Sequence, residues 1–207
     1  MITLFIDTSS SDVSIAIIKD QKIISYINKH LHNEHSIYTV DFIDKALKEA
    51  NLSARDIQKI MVVNGPGSFT GVRIGVTITK VFAYVENIDI ITLSALKILA
   101  LSQEHNYCLS LIDARHDNYY IGLYDKSNNE VIKEQFNTKE KVLELIKKYQ
   151  PTIVSNSDFY LNNQEITKQE LNLINIVNYY QNMIPQNPHL VIPNYLKLPQ
   201  ALEEKHD

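Results

Sequence analysis

The sequence predicts an α/β protein made of two similar halves, and three observations support this fold class. Strand-like and helix-like segments alternate along the 207 residues. Each half begins with three short strand-like segments separated by polar turns and then changes to a helical pattern. The first strand of each half ends in the same dipeptide, Ile6-Asp7 and Ile112-Asp113. We therefore expect a duplicated architecture with a boundary near 103–106: an N-terminal lobe over residues 1–104 and a C-terminal lobe over 105–207, each a mixed sheet with packed helices.

The first half opens as a three-stranded meander that leads into a helix. The strand-like stretches are "ITLFID", "VSIAIIK" and "IISYIN", and polar residues separate them. From about Glu34 the apolar residues recur at helical spacing. Asn51 suits the position just past this helix, where a left-handed backbone is common. Ser53 with Asp56 indicates a short capping turn.

A glycine-rich loop follows the next strand, Lys59 to Val63. We expect a helix after this loop, from Thr70 to about Val85, because apolar residues continue through it without a break. The stretch "IDIITL" is a further strand, and a third helix runs through Leu101.

The second half repeats this order of elements. Its strands are "YCLSLIDA", "NYYIGLYD" and "VIKEQF", and a helix over Lys139 to Tyr149 precedes a short strand, "TIVSN". The last stretch, "PNYLKLPQALEE", contains Pro193 and Pro199, and we expect it to wrap the surface as an extended tail.

Composition and charge limit the possible partners. The chain is 44% hydrophobic and 21% charged, which is ordinary for a globular protein, and its net charge is −4. A protein that grips nucleic acid over its whole surface needs clustered Lys and Arg, so this charge argues against one. The densest basic cluster, Lys139 to Lys148, is interleaved with Glu140 and Glu144 and indicates a solvated helix face.

The single cysteine and the N-terminus bear on the compartment. Cys108 excludes a disulfide framework, and its apolar surroundings favour a small buried side chain over a nucleophile. The N-terminal stretch lacks the basic residues of a secretory signal, and no apolar run has the length of a membrane span. We expect a cytoplasmic protein without membrane association.

The glycine loop resembles a phosphate cradle in its position between a strand and a helix. Four of the five glycines of the chain lie in this loop and in the first turns of the helix that follows, at Gly65, Gly67, Gly71 and Gly75. A nucleotide-binding P-loop needs Gly-x-x-x-x-Gly-Lys-Ser/Thr, and the dinucleotide fingerprint needs Gly-x-Gly-x-x-Gly. Neither spacing is present, so the loop does not predict either kind of nucleotide site.

The same glycines indicate close packing of the second helix. Gly71 and Gly75 lie four residues apart, on one helix face that Ile78, Thr79 and Phe82 continue. This helix is apolar nearly all round, so it packs on its own sheet and also on either another helix of the chain or a partner protein. Two adjacent helices with spare apolar flanks favour a partner. The predicted partner interface comprises Tyr38, Phe42, Gly71, Gly75, Ile78 and Phe82.

Four stretches together resemble a known family. They are "LFIDTSSSDVSIAI", "VNGPGSFTGVRIGVTITK", "LIDARHDNYYIGLYD" and "PNYLKLPQALEE", and they span the whole chain. The chain is similar to TsaB, the family of bacterial tRNA threonylcarbamoyladenosine biosynthesis proteins. The resemblance implies an actin-like ATPase fold with two lobes, related to RNase H, hexokinase and Hsp70.

The resemblance also implies partners. TsaB proteins are non-catalytic siblings of TsaD, which transfers threonylcarbamoyl to an adenosine beside the tRNA anticodon. TsaB pairs with TsaD as a heterodimer, the ATPase TsaE joins them, and TsaC-type enzymes supply the threonylcarbamoyl-adenylate. We expect the chain to contact tRNA only through this complex, and a homodimer is an option for the isolated protein.

The residues at the expected phosphate positions support a non-catalytic role. Active members of the fold have glycines at the turns after the first strands, whereas here Thr8-Ser9-Ser10 and Ala114-Arg115-His116 occupy them. No glycine follows Gly122, so a late adenosine-binding loop has no counterpart. By resemblance, TsaD binds a metal through His-x-x-x-His in the region that corresponds to "TLSALKILALS", which contains no histidine.

Two other sets of residues have side chains that could form a site. His32 and His35 have no third ligand within reach, so His35 is interpreted as a helix-start residue. Asp7 and Asp113 could form a paired-carboxylate site, but strand-end carboxylates also accept hydrogen bonds from turn N–H groups. We therefore predict no catalytic residue, cofactor or metal ion. Two alternatives stay open: an ATP-dependent phosphotransferase or ATPase of the same fold, and a metallo-glycoprotease.

Overall fold

The computed structural model describes residues 1–32 and 34–197. In the first half of this part, strands and helices follow one another in the order β1 (Ile2–Asp7), β2 (Asp12–Lys19), β3 (Lys22–His30), α1 (His35–Glu49), a 3-10 turn (Ala54–Asp56), β4 (Lys59–Gly65), α2 (Phe69–Glu86), β5 (Ile90–Ser94) and α3 (Ala95–Ala100). The second half follows as β6 (Tyr107–Asp113), β7 (Asn118–Asp125), β8 (Glu130–Thr138), α4 (Lys139–Tyr149), β9 (Thr152–Ser155), β10 (Phe159–Leu161), β11 (Gln164–Ile166), α5 (Leu173–Tyr180) and a 3-10 turn (Pro188–Leu190).

Each half contains one mixed sheet. The N-terminal sheet has five strands in the order β3-β2-β1-β4-β5, and the C-terminal sheet has four in the order β8-β7-β6-β9. The meander strands pair antiparallel, whereas β4 runs parallel to β1 and β9 runs parallel to β6. The central strands are almost fully buried, as strands covered on both faces must be. This architecture confirms the predicted fold class.

Helices and sheets stack in layers. One apolar core joins the N-terminal sheet to α1 and α2, and another joins the C-terminal sheet to α4. A third core contains residues of both sheets together with α3 and α5, so these two helices lie between the sheets. The outer layers are therefore α1 with α2 on one side of the molecule and α4 on the other.

The segment 186–195, which we call the strap, follows α5 and returns to the N-terminal half. Gln186 forms a bridge with Ile90 at the edge of that sheet. Further along, the Asn194 N–H donates to the Asn64 carbonyl at 2.7 Å. Val191 is fully buried in the N-terminal core. The proposed division at residues 104 and 105 stays a prediction, and the strap contacts the N-terminal sheet across that division.

Most predicted elements have counterparts, with bounds that differ by a few residues. Asn51 adopts the expected left-handed backbone, with a φ of 53°, and the Ser53 N–H donates to the Asp56 carboxylate at 2.7 Å. The sequence did not predict α5 or the β10–β11 hairpin. The predicted tail, 193–204, lies partly outside the described residues. Within the described residues, no helix has the length and hydropathy needed to cross a membrane.

Candidate functional site

A groove runs between α1 and α2 on the outer side of the N-terminal half. Its volume is about 380 Å³. Its walls are mainly apolar and consist of Val40, Ile43, Asp44, Leu47, Thr77, Ile78, Val81 and Phe82. Val40 and Val81, at its rims, are 55% and 61% exposed. Contiguous apolar surface that stays in contact with water is typical of a docking site.

Other apolar side chains of α1 and α2 are also exposed. We call the exposed apolar side chains of this layer the α1/α2 face: Ile37, Tyr38, Val40, Val81, Tyr84 and Val85. Tyr84 and Val85 are 66% and 69% exposed, more than the groove rims. The sequence analysis did not select Val81, Tyr84 or Val85, because an all-round apolar helix does not reveal which of its sides faces the sheet.

Two of the predicted interface residues lie in the groove, and Tyr38 and Phe42 are not among its lining residues. Ile78 and Phe82 line it. The rings of Tyr38 and Phe42 stack with centroids 5.9 Å apart, and Phe42 also packs against the N-terminal core. The role of these four residues in binding a partner stays a prediction.

Gly71 and Gly75 face the interior of the protein, and the interface prediction is corrected at these two positions. A Cβ atom at Gly71 would lie 2.1 Å from the Thr8 carbonyl oxygen, and one at Gly75 would lie 2.3 Å from the Thr8 hydroxyl oxygen. The Thr8 hydroxyl also donates to the Gly71 carbonyl at 2.7 Å. The two glycines therefore allow α2 to approach the turn after β1, and side chains on other faces of α2 reach the surface.

The glycine-rich loop is packed in the same way against the chain itself. A Cβ atom at Gly67 would lie 2.3 Å from the Ser9 carbonyl oxygen, and the Ser68 N–H donates to that oxygen at 2.7 Å. Gly65 has a φ of 120°, and a Cβ there would lie 2.6 Å from the Asn194 carbonyl oxygen. Backbone atoms of the β1–β2 turn and of the strap thus occupy the space beside these glycines.

The two strand-end aspartates have the same local geometry but different exposure. The Asp7 carboxylate accepts a hydrogen bond from the Ser9 N–H at 2.8 Å, and the Asp113 carboxylate accepts one from the Arg115 N–H at 2.8 Å. Asp7 is buried, and burial raises its pKa above the ordinary range. Asp113 is exposed at a cleft of about 390 Å³ that also contains Ser9, Gly67 and Arg115. Both carboxylates satisfy turn N–H groups, as strand-end acids commonly do.

An ion pair that the sequence analysis missed links the two halves. Asp12, at the start of β2, accepts hydrogen bonds from Lys168 and from His30, the latter at 3.0 Å. Burial alone would raise the pKa of Asp12, but the bonds from Lys168 and His30 outweigh burial and lower this pKa. Asp12 and Lys168 are 156 residues apart in sequence. Only the three-dimensional structure brings them together.

The helix-start position of His35 and the burial of Cys108 are confirmed. His35 is the first residue of α1, and its ring Nε2 lies 2.9 Å from the Ser10 carbonyl oxygen. Cys108 is fully buried, and this burial raises the pKa of its thiol to about 12, so the thiol stays protonated at neutral pH. Among residues 1–32 and 34–197, no three His, Cys, Asp or Glu side chains form a group suited to a metal ion.

Comparisons with known proteins agree on one family. The family model of TsaD, tRNA N6-adenosine threonylcarbamoyltransferase, matches residues 24–201. The chain belongs to the TsaD family.

Within the TsaD family, the chain is similar to TsaB proteins, in one case over nearly its full length. It is 29% identical to the tRNA threonylcarbamoyladenosine biosynthesis protein TsaB of Bacillus subtilis, covering 97% of this chain and 96% of that protein. It is 30% identical to TsaB of Escherichia coli, covering 61% of this chain and 56% of that protein. These similarities identify it with the TsaB branch.

A solved structure has the same fold. YeaZ from Pseudomonas aeruginosa matches with a TM-score of 0.78 at 20% identity, covering 94% of this chain and 99% of that one. At this level of identity the match shows the fold alone. The layered arrangement and the α1/α2 groove described above are thus features of a TsaD-family protein of the TsaB branch.

Proposed function

We propose that the chain is a non-catalytic subunit of the machinery that makes threonylcarbamoyladenosine in tRNA, and that its α1/α2 face docks a TsaD-type transferase. The observation that carries this proposal is the groove between α1 and α2, whose rims expose Val40 and Val81 to water. Large apolar side chains in this arrangement match the buried centre of a protein interface. The TsaB relatives bear the name of this biosynthesis.

The packing of the glycine loop supports the non-catalytic part of the proposal. A phosphate cradle needs backbone N–H groups that a ligand can approach. Here the Ser68 N–H already donates to Ser9, and the chain's own backbone lies within 2.3 Å of a Cβ position at Gly67. We therefore expect the isolated protein to bind Mg-ATP weakly and not to hydrolyse it.

The proposed partners follow from the same face. A TsaD-type transferase would cover α1 and α2 in a heterodimer, and a TsaE-type ATPase would join the pair. The isolated chain would cover the same face with a second copy, as a homodimer. Contact with tRNA would occur through the complex, in the cytoplasm.

Depletion of the protein in its own cells tests this function. Nucleoside mass spectrometry should show a several-fold loss of threonylcarbamoyladenosine in tRNA, and the wild-type gene should restore it. Titration calorimetry with Mg-ATP and a phosphate-release assay test the non-catalytic role. Unchanged modification after depletion would contradict the function, whereas micromolar ATP affinity with turnover would favour an ATPase or phosphotransferase of the same fold.

A further inference from the structure

A second cavity lies between the two halves, away from the α1/α2 face, and has a volume of about 300 Å³. One wall comes from the N-terminal sheet and its first turn and is polar: Asp7, Ser9, Ser10, Asp12, Ser14, Tyr26 and Asn28. The rest of the lining includes apolar residues of α3 and of the segment before α5: Ala95, Ile98, Leu99 and Leu171. This size lies at the lower end of the range for small-molecule sites.

Asp7 lies at the polar end of this cavity without a cationic partner. Its side chain is 9% exposed, and its hydrogen-bonding partner is Ser9. Among residues 1–32 and 34–197, no Lys, Arg or His forms a salt bridge with Asp7. A buried carboxylate without a counter-ion is unfavourable unless it is protonated or gains a cation.

The charge around the cavity is unbalanced. Asp7, Asp12 and Glu170 are acidic, whereas Lys168 is the basic residue in the lining. Lys168 donates to Asp12 and also acts on Asp7 through space, so two carboxylates share one cation. An anionic ligand would therefore meet net repulsion, and a cationic one would be attracted.

The apolar wall limits which cation can fit. A bare metal ion needs several oxygen or nitrogen ligands around it, and the described residues offer no group of three such acidic, His or Cys side chains. Ile98, Leu99 and Leu171 instead contribute aliphatic surface to the lining. We propose that this cavity binds a small organic molecule with a primary ammonium group against Asp7 and a short aliphatic body against α3 and Leu171.

Simple probes separate charge from shape. The two probes are n-propylammonium chloride and 1-propanol, which have nearly the same size but differ in charge. Potassium chloride at equal ionic strength is the control for a general salt effect. Titration calorimetry at pH 7 on the full chain should show at least tenfold tighter binding of n-propylammonium than of 1-propanol. Equal affinity for the two, an equal response to potassium chloride, or no binding of n-propylammonium would overturn the proposal.

Two matched variants locate the binding. Asp7→Asn keeps an oxygen that can accept the Ser9 N–H bond and removes the charge, so it should weaken n-propylammonium binding at least tenfold. Asp113→Asn makes the same change at the equivalent turn of the other half, where the aspartate is exposed, and should leave the affinity within twofold. Retained affinity in Asp7→Asn, or an equal loss in Asp113→Asn, would overturn the site.

A measurement on the unmodified protein covers the case in which Asp7→Asn does not fold. In amide NMR spectra, n-propylammonium should shift the signals of Ser9 and Leu171, which both line the cavity and come from different halves of the chain. The signals of Ala114 and Arg115, at the turn after β6, should not move. Shifts confined to that second turn, or absent from both Ser9 and Leu171, would overturn the proposal.

Discussion

The two outer helical layers cover equivalent sheets, but the outer surface of α4 is charged and that of α2 is apolar. On α4, the outward side chains include Glu140, Lys141, Glu144 and Lys147, and Lys141 pairs with Glu144 at 2.7 Å. On α2, the outward side chains include Val81, Tyr84 and Val85, which are between 61% and 69% exposed. Both helices bury a full apolar side against their sheets. Covering a sheet therefore does not explain the apolar outer side of α2, and we attribute that side to a partner.

The turn after the first strand is buried in the N-terminal half and exposed in the C-terminal half. In the N-terminal half, the glycines of α2 bring this helix against Thr8 and Ser9, so the turn is buried. In the N-terminal half the element after β4 is α2, whereas in the C-terminal half the element after the equivalent strand, β9, is the β10–β11 hairpin. The corresponding C-terminal turn at Arg115 is exposed. The N-terminal turn is closed by packing, whereas the C-terminal one stays open to the cleft.

The substitution Gly71→Ala should have the largest effect on stability, because it acts on the closed turn. The added Cβ atom would lie 2.1 Å from the Thr8 carbonyl oxygen, so α2 must move. Overpacking costs about 1–3 kcal/mol, and the upper end applies because a backbone oxygen cannot rotate away. Alanine has a helix propensity about 1 kcal/mol better than that of glycine, so we expect a net loss of about 2 kcal/mol. Urea unfolding measures the change. The control, Thr77→Ala at an exposed position of the same helix, should stay within about 0.5 kcal/mol of wild type.

Unchanged stability of Gly71→Ala would contradict the close packing of α2 on Thr8. An equal loss in Thr77→Ala would mean that the helix itself, and not its contact with the turn, determines the result.

The substitution Lys168→Met should have a smaller effect, because it removes one partner of the ion pair between the halves. Loss of one partner of a fully buried pair costs about 3–5 kcal/mol, but Lys168 is 36% exposed, so we expect about 1 kcal/mol at pH 7. Urea unfolding at pH 7 gives the value. In the control, Lys139→Met within the C-terminal half, the partner Asp117 is 71% exposed, and the loss should stay below about 0.5 kcal/mol.

The dependence on pH sharpens this prediction. The folded-state pKa of Asp12 is lowered, so its ion pair contributes stability above the unfolded-state pKa and loses it as the pH falls through the folded-state value. The difference between wild type and Lys168→Met should therefore shrink as the pH falls below the ordinary value of 3.8 for aspartate. A difference that stays constant into strong acid would contradict the pairing.

The sequence predicted the features that depend on local pattern. Alternating apolar residues identified the two meanders, and Ile-Asp at the end of each first strand identified the equivalent turns. The mixed charges of Lys139 to Lys148 correctly predicted a solvated helix face, because an amphipathic pattern shows which side is polar. The position of the glycine loop between β4 and α2 was also predictable from its flanking segments.

The features that the sequence did not reveal depend on contacts between distant residues. The spacing of Gly71 and Gly75 places them on one face of α2, but a helix with apolar residues all round gives no indication of which face meets the chain's own turn. The three-residue strands of the β10–β11 hairpin are too short to show alternation. The Lys168–Asp12 pair joins residues that no local pattern connects.

The affinity of the protein for its TsaD-type partner tests the central claim most directly. Val81→Asp places a charge on the α1/α2 face at a position 61% exposed, so the monomer should melt normally. A charge buried at the centre of an interface costs about 2 kcal/mol or more, which corresponds to a loss of at least about tenfold in affinity. Lys147→Gln on α4 changes the net charge by the same amount and should leave the affinity unchanged. Normal binding by a folded Val81→Asp protein, or equal weakening by Lys147→Gln, would contradict the assignment of the α1/α2 face.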